Sequence, residues 1–272
     1  MKTWIPVARN FAYLNWKQVE ALPKSEAMLV LPTAAIEQHG HHLPLATDTL
    51  IGDVLLGRAM ELLPAEMVIY ALPSVCYGKS NEHMSFPGTM AMSATTYMSV
   101  LRDIGASVAA AGLKKLVLYN SHGGNSALND VMARDMRAEF GLRTFHMGAN
   151  AGAHAEGLNA QEAKYGFHAG EWETAVLLRA TPELVDTSAY TANYIARIED
   201  ENILSPERGA VNFAWLTRDI AESGVLGDPR PATAENGEKW IASSAAQVAA
   251  ALTAAYHYEN HCKRSRRASV DG

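Results

Sequence analysis

Four short apolar runs, at residues 28–31 (MLVL), 67–72 (MVIYAL), 116–120 (LVLYN) and 143–147 (RTFHM), are separated along this chain by longer stretches of helical period. Runs that are apolar at successive positions read as strands buried on both faces, which is the mark of parallel pairing. Their alternation with helices limits the fold to a layered α/β class with a mainly parallel central sheet. The first run is expected to stop at Pro32, and Asp48 and Thr49 offer the N-cap of a helix reaching Leu63. Ser93 can cap a helix to about Ala111, with Gly112 as its stop, and the helix Ser126–Phe140 ends at Gly141. Further helices are expected near residues 171–179 and over 234–257. The pattern lapses at 148–167 and again at 187–231, the second stretch being long enough for a functional loop, a lid or an oligomer contact. With no repeat and no linker, one domain over residues 1–261 is expected, followed by a basic, disordered tail at 262–272.

The loops after these strands carry an unusual load. Residues 37–48 hold Glu37, His39, His41, His42 and Asp48; NSHGGN at 120–125 follows the third strand; HAGEWET at 168–174 opens a helix. A histidine taken alone is usually solvated or satisfied in a core. Three loops of like content, placed where open α/β sheets bind ligands, argue otherwise. Imidazole and carboxylate donors suit zinc, manganese or iron(II), whereas a thiolate site would need cysteines, and the chain has two. Glu37, His39, Asp48, His122 and Glu173 supply two imidazoles and three carboxylates, enough for two divalent ions if Asp48 uses both oxygens.

Composition narrows the partners. The net charge of -6 gives no general basic field, so nucleic acid is not expected and a small-molecule substrate is. Cys76 and Cys262 cannot form a disulfide framework, the N-terminal stretch has no signal-peptide core, and no run of eighteen apolar residues occurs. The expectation is a cytoplasmic protein with no membrane partner.

Taken in order, EQHGHHLPLATDT, FPGT at 86–89, NSHGGN and HAGEWET resemble the creatininase (creatinine amidohydrolase) family over about residues 28–180. The resemblance implies a three-layer α/β/α domain, a dinuclear site, hydrolysis of C–N bonds in small cyclic amides or formamides, and a homohexamer. It implies metal ligation by Glu37, His39, bridging Asp48 and His122, a catalytic His168, and a carboxylate at Glu173 that is either ligand or proton-transfer group. Creatininase itself has a metal-binding glutamate two residues after the histidine of its second motif, and here that position is Gly124. The missing ligand is therefore expected from Glu173, the pocket beside Gly124 is expected to be roomier, and creatinine is expected to be a poor substrate.

Other readings stand beside these. The same site would open a lactone or attack a sugar-like carbonyl compound, and a fully coordinated site would make a non-catalytic, metal-stabilised binding protein. His42 reads as a structural hydrogen-bonding group, Cys76 as an inert buried thiol, and Trp172 and Trp215 as pocket candidates whose commoner role is core packing. GKS at 78–80 ends like a phosphate loop, but Pro73 occupies the place of its first glycine and no helix is expected after it, so ATP is not expected there. The tail KRSRRASVDG reads as a solvated terminus or expression residue with a kinase-like site.

Overall fold

The computed structural model describes residues 4–152, 155–195, 203–206 and 210–259, so the tail expected at 262–272 lies outside the described residues. In chain order the elements are α1 (Trp16–Glu20), β1 (Met28–Thr33), α2 (Thr47–Leu62), β2 (Ile69–Ala71), α3 (Ala94–Ala110), β3 (Lys115–Asn120), α4 (Ser126–Phe140) and β4 (Arg143–Gly148). After these come α5 (Ala160–Tyr165), α6 (Glu171–Ala180), β5 (Leu204–Ser205), β6 (Val211–Asn212), α7 (Thr217–Ile220) and α8 (Ala234–His257).

The main sheet has the order β2-β1-β3-β4 with every pairing parallel. Alternation along its strands sends side chains into two cores. Met28, Val30, Val117 and Tyr119 join the α2, α6 and α8 side, while Leu29, Leu31, Leu116 and Leu118 join the α3 and α4 side. This is the expected α/β sandwich of three layers. Because the chain passes from β1 out to β2 and then back across β1 to β3, the strand order reverses between β1 and β3, and a crevice opens at their carboxyl ends.

Several local expectations needed correction. Strand β1 continues through Pro32 to Thr33, because β2 has already ended at Ala71 where the missing Pro32 N–H would have paired; the Pro32 carbonyl still accepts from Val75 N at 2.9 Å. Asp48 and Thr49 do not cap α2. The helix starts at Thr47, at least two residues earlier than such a cap allows, with Ala46 at the cap position and no side-chain cap, which leaves the Asp48 carboxylate for other partners. Ser93 does cap α3 by accepting from Thr96 N, and Gly141 closes α4 at φ 69°. Among the described residues no helix is long and apolar enough to cross a membrane.

Candidate metal centre

Glu37 and His39 leave the end of β1, Asp48 sits in the first turn of α2, and His122 follows β3, so three sequence-distant groups meet in the crevice. Asp48 stands between two sets. Its Oδ1 lies 3.3 Å from His39 Nε2 and its Oδ2 lies 3.2 Å from His122 Nδ1. On the first side Glu173 Oε2 approaches His39 Nε2 to 4.0 Å; on the second Glu37 Oε2 lies 3.3 Å from His122 Nδ1. Each imidazole is turned by its other nitrogen: His39 Nδ1 donates to Glu37 O at 3.2 Å, and His122 Nε2 donates to Lys79 O at 3.0 Å. In the neutral rings the inward-facing nitrogens are therefore the lone-pair ones, as a metal ligand requires.

The donor atoms fit divalent ions. A tetrahedron with bonds of about 2.0–2.2 Å has edges of roughly 3.3–3.6 Å, and the two imidazole contacts of Asp48, at 3.3 and 3.2 Å, lie at the short end of that spacing. His39 Nε2 and Asp48 Oδ2 are buried and make no hydrogen bond among the described residues, which is costly unless something else occupies them. Glu37, His39 and Asp48 form one group able to hold an ion, and His39, His168 and Glu173 form another. Electrostatics agree. Burial disfavours a charged His39, yet Asp48, Glu173 and Glu37 outweigh it and raise its pKa to about 9; the same contest, with Glu37 and Asp48 as the carboxylates, holds His122 well above its ordinary value. Glu173 is pushed up to about 7, first by burial and despite His39. A field that draws protons so strongly draws a divalent cation for the same reason.

His168 is brought in by an antiparallel bridge to Leu226 and is stacked between His39 and His83, with centroids 4.2 and 4.4 Å away. Its Nε2 lies 2.8 Å from Gln38 O, and its Nδ1 faces Glu37 Oε1 at 3.7 Å. Burial, then the charge of His39, holds it well below the usual imidazole range. The loop that carries it is anchored by the buried Glu162. That carboxylate accepts from Glu171 N, Asp228 N and Tyr194 OH at 2.8, 2.9 and 2.7 Å. A Cβ at Gly170 would come within 1.9 Å of Glu162 Oε1, so the glycine of HAGE makes room for this anchor.

Sequence reasoning missed His83, Glu82, Ser80 and Gln38. Ser80 Oγ donates to Glu37 Oε2, and His83 Nε2 lies 3.5 Å from Glu37 Oε1. The available signal was the histidine three residues before FPGT, in the loop after β2, the criterion already applied to the other strands. The 78–80 stretch set aside as a decoy is thus a wall of the site, and a short 3-10 turn, Asn81–His83, follows it. The room expected beside Gly124 is taken as well. A Cβ there would meet Lys79 O at 2.4 Å and Glu82 Oε1 at 2.5 Å, and Glu82 Oε1 lies 3.9 Å from His122 Nε2.

The centre opens into a cavity of about 1290 Å³ whose lining includes Glu37, His122, His168, Phe167, Tyr194 and Trp215. Trp215 is thereby a pocket residue, whereas Trp172 packs against the core. His42 bonds Thr174 Oγ1 at 3.0 Å, the structural role expected of it, His41 is exposed, and Cys76 is half-buried rather than buried.

Comparison with known proteins agrees with this architecture. The family model of creatininase, described as creatinine amidohydrolase, matches residues 12–252. The mycofactocin precursor peptide peptidase of Mycobacterium ulcerans (strain Agy99) is 36% identical over 227 residues, covering 81% of this chain and 82% of the relative. The creatinine amidohydrolase of Pseudomonas putida is 29% identical over 195 residues, 64% of this chain and 72% of the relative. A mutant creatininase complexed with creatine superposes with a TM-score of 0.74 at 25% identity, covering 92% of this chain and 99% of that one. Creatininase structures of Zn-Zn type and with Mn share the fold at 24% identity and a TM-score of 0.72, covering 95% and 92% of this chain and 100% and 99% of theirs.

Proposed function

The chain belongs to the creatininase family, and from that premise we propose a metal-dependent amidohydrolase in which Glu37, His39, Asp48, His122 and Glu173 hold two divalent ions. Zinc and manganese are the first choices and iron(II) the third. The observation that carries the reading is Asp48, whose two oxygens lie 3.3 and 3.2 Å from two lone-pair imidazole nitrogens, with His39 Nε2 and Asp48 Oδ2 otherwise orphaned. Bound there, the ions supply Lewis acidity that activates water and polarises a carbonyl.

The chain's own groups then move the proton. His168 presents Nδ1 to the site while its Nε2 lies against the Gln38 carbonyl, so it is placed to take a proton from the attacking water and return it to the departing nitrogen as the C–N bond breaks. Gln38 holds the far side of this ring. Glu173, with a pKa near 7, is assigned to the ion beside His39.

The substrate we favour is an amide bond within a short peptide. Typical small-ligand pockets run to about 300–1,000 Å³, and a cavity of about 1290 Å³ lined by Phe167, Tyr194 and Trp215 exceeds the needs of a single small ring. The relative at 36% identity is named as a peptidase of a precursor peptide, which points the same way. The alternative, a small cyclic or formyl amide, keeps the same centre and leaves most of the cavity empty.

The test is a panel of short peptides, lactams, formamides, creatinine and lactones offered to metal-reconstituted protein and read by mass spectrometry. Cleavage of a peptide amide is expected, with weak or no turnover of creatinine. Protein that binds no divalent ion, or that loads fully and hydrolyses creatinine best, overturns the assignment.

A further inference from the structure

Glu37, His83 and His168 form a third buried group with the spacing of a metal site, and proton accounting around Gln38 decides what it is. Gln38 Oε1 accepts from Gly40 N at 2.9 Å, which fixes which end of the amide is nitrogen. Its Nε2 carries two protons and has three neighbours: Gly224 O at 3.1 Å, His83 Nδ1 at 2.8 Å and His168 Nε2 at 3.0 Å. His168 Nε2 also lies 2.8 Å from the Gln38 carbonyl, which can only accept. If His168 Nε2 carries its proton to that carbonyl, the two amide protons go to Gly224 O and His83 Nδ1. The Thr217 hydroxyl, which also lies 2.8 Å from His83 Nδ1, then donates to Glu82 O at 3.0 Å, and all three carbonyls are satisfied. The other assignments leave one carbonyl unpaired or set the Gln38 and His83 N–H groups head to head at 2.8 Å, whereas this one leaves Gln38 Nε2 and His168 Nε2 side by side at 3.0 Å with their protons turned to different acceptors.

Both rings are therefore the Nε2–H tautomer, yet they meet Glu37 Oε1 in opposite senses. His168 shows it a bare Nδ1 at 3.7 Å, and His83 shows it an N–H at 3.5 Å. A protonated Nε2 cannot ligate a metal, so the group is not a third ion site. We propose that Gln38 fixes His83 as a permanent hydrogen-bond donor at the cavity wall, and that this donor binds the oxyanion formed when an amide carbonyl is attacked. Gln38 is a positioning residue, and His83 the donor that touches the reacting oxygen. The assignment of an oxyanion rests on the amidohydrolase reading; the tautomer does not.

The experiment has two arms. In the first, long-range proton–nitrogen spectra are recorded on zinc-loaded protein with nitrogen-15 histidine. His83 is expected to show a protonated Nε2 and a bare Nδ1, and Gln38→Glu, whose carboxylate can only accept, is expected to move the proton to Nδ1. A wild-type His83 protonated on Nδ1, or a third zinc ion that His83→Phe abolishes, overturns the proposal. In the second arm a dipeptide phosphinate serves as the tetrahedral oxyanion probe in calorimetry. One hydrogen bond to a charged oxygen predicts about 10- to 100-fold weaker binding in His83→Phe, with recovery in His83→Gln, which restores an N–H near Nε2, and zinc content unchanged throughout. Equal affinity in His83→Phe and wild type overturns the donor role. Failure of the phosphinate to bind wild-type protein counts against the amidohydrolase reading and with it the oxyanion, while the spectra still decide the tautomer.

Discussion

Asp48 is the residue on which most of the centre depends, because its two oxygens face two separate imidazoles. Under the proposed assignment Asp48→Ala removes a bridge and leaves two cations unshielded, so elemental analysis of the purified variant should find well under one ion per chain and no turnover. Full metal content would refute the bridge. Glu173→Gln is milder in shape and sharper in meaning. It keeps an acceptor for Ala169 N, now 2.6 Å from the carboxylate, but removes the charge beside His39. The ion on that side should weaken by more than about 100-fold, beyond the 10- to 100-fold seen when a group that only orients a ligand is changed, while the ion beside His122 is retained. Simultaneous loss of both ions would show that the two sides are not separable. His168→Ala, by contrast, should lower kcat by about 10²- to 10⁴-fold at constant metal content, as removal of a proton-transfer group does.

Glu173 is only as well placed as the helix that carries it, and α6 is held close to α8 by a glycine. A Cβ at Gly237 would lie 2.0 Å from Ala175 O and 2.6 Å from its carbonyl carbon. Alanine is the better helix former by about 1 kcal/mol, but a backbone clash of this depth must push the helices apart, and overpacking costs about 1–3 kcal/mol. Gly237→Ala should therefore lower the denaturant midpoint despite its propensity. Because α6 shifts with it, the ion beside His39 should weaken while the ion beside His122, held by loops from β1 and β3, does not. A variant as stable as the parent would show that α8 yields without disturbing α6.

For the whole molecule, the buried histidines divide into two classes around their ordinary pKa of 6.5. His42 and His83 are held at about 4 and about 3, and His168 well below 6.5, in each case by burial first and the charge of His39 second. Unfolding lets them take up protons, so the stability they contribute is present above pH 6.5 and is lost as pH falls toward their folded values. His39, at about 9, and His122 bind protons more tightly when folded, so their contribution is full below pH 6.5 and is lost as pH rises through about 9. Glu173, raised to about 7, opposes the first class with one proton against three. Melting temperatures of the metal-free protein should therefore peak near pH 6.5 and fall on both sides. Zinc should abolish the alkaline fall, since coordinated imidazoles have no proton to lose; an alkaline slope unchanged by zinc would remove His39 and His122 from the ligand set. We also propose the closed homohexamer that family membership suggests. Val7, Trp16 and Tyr13 on the N-terminal segment are 74%, 69% and 57% exposed in the single chain, surface that an assembly would cover. Light scattering should give several times the mass of one chain, and a monomer would refute it.

Local chemistry was enough for much of this. Apolar runs such as MLVL and LVLYN can only be strands buried on both faces, and caps such as Ser93 and Gly141 act within a few residues of themselves, so the layered α/β fold and most helix ends were legible in the sequence. So was the placing of Glu37, His39, Asp48, His122, His168 and Glu173 in loops at strand ends or in a first helical turn. Tertiary structure decided which atoms meet. Asp48 read both as a helix cap, because its neighbours in sequence are backbone amides, and as a bridging ligand by family resemblance; the β1–β3 register brings His39 and His122 to its two oxygens and leaves the cap role unfilled. Gly124 looked like open space because nothing in sequence says that Glu82, some forty residues earlier, fills it. His83 and Gln38 were passed over for the same reason. Their roles lie in contacts with His168, Thr217 and Gly224, up to 186 positions away. A distance of 3 Å across such a separation is set by how the sheet, the loops and α7 pack together, and no pattern of neighbouring residues encodes it.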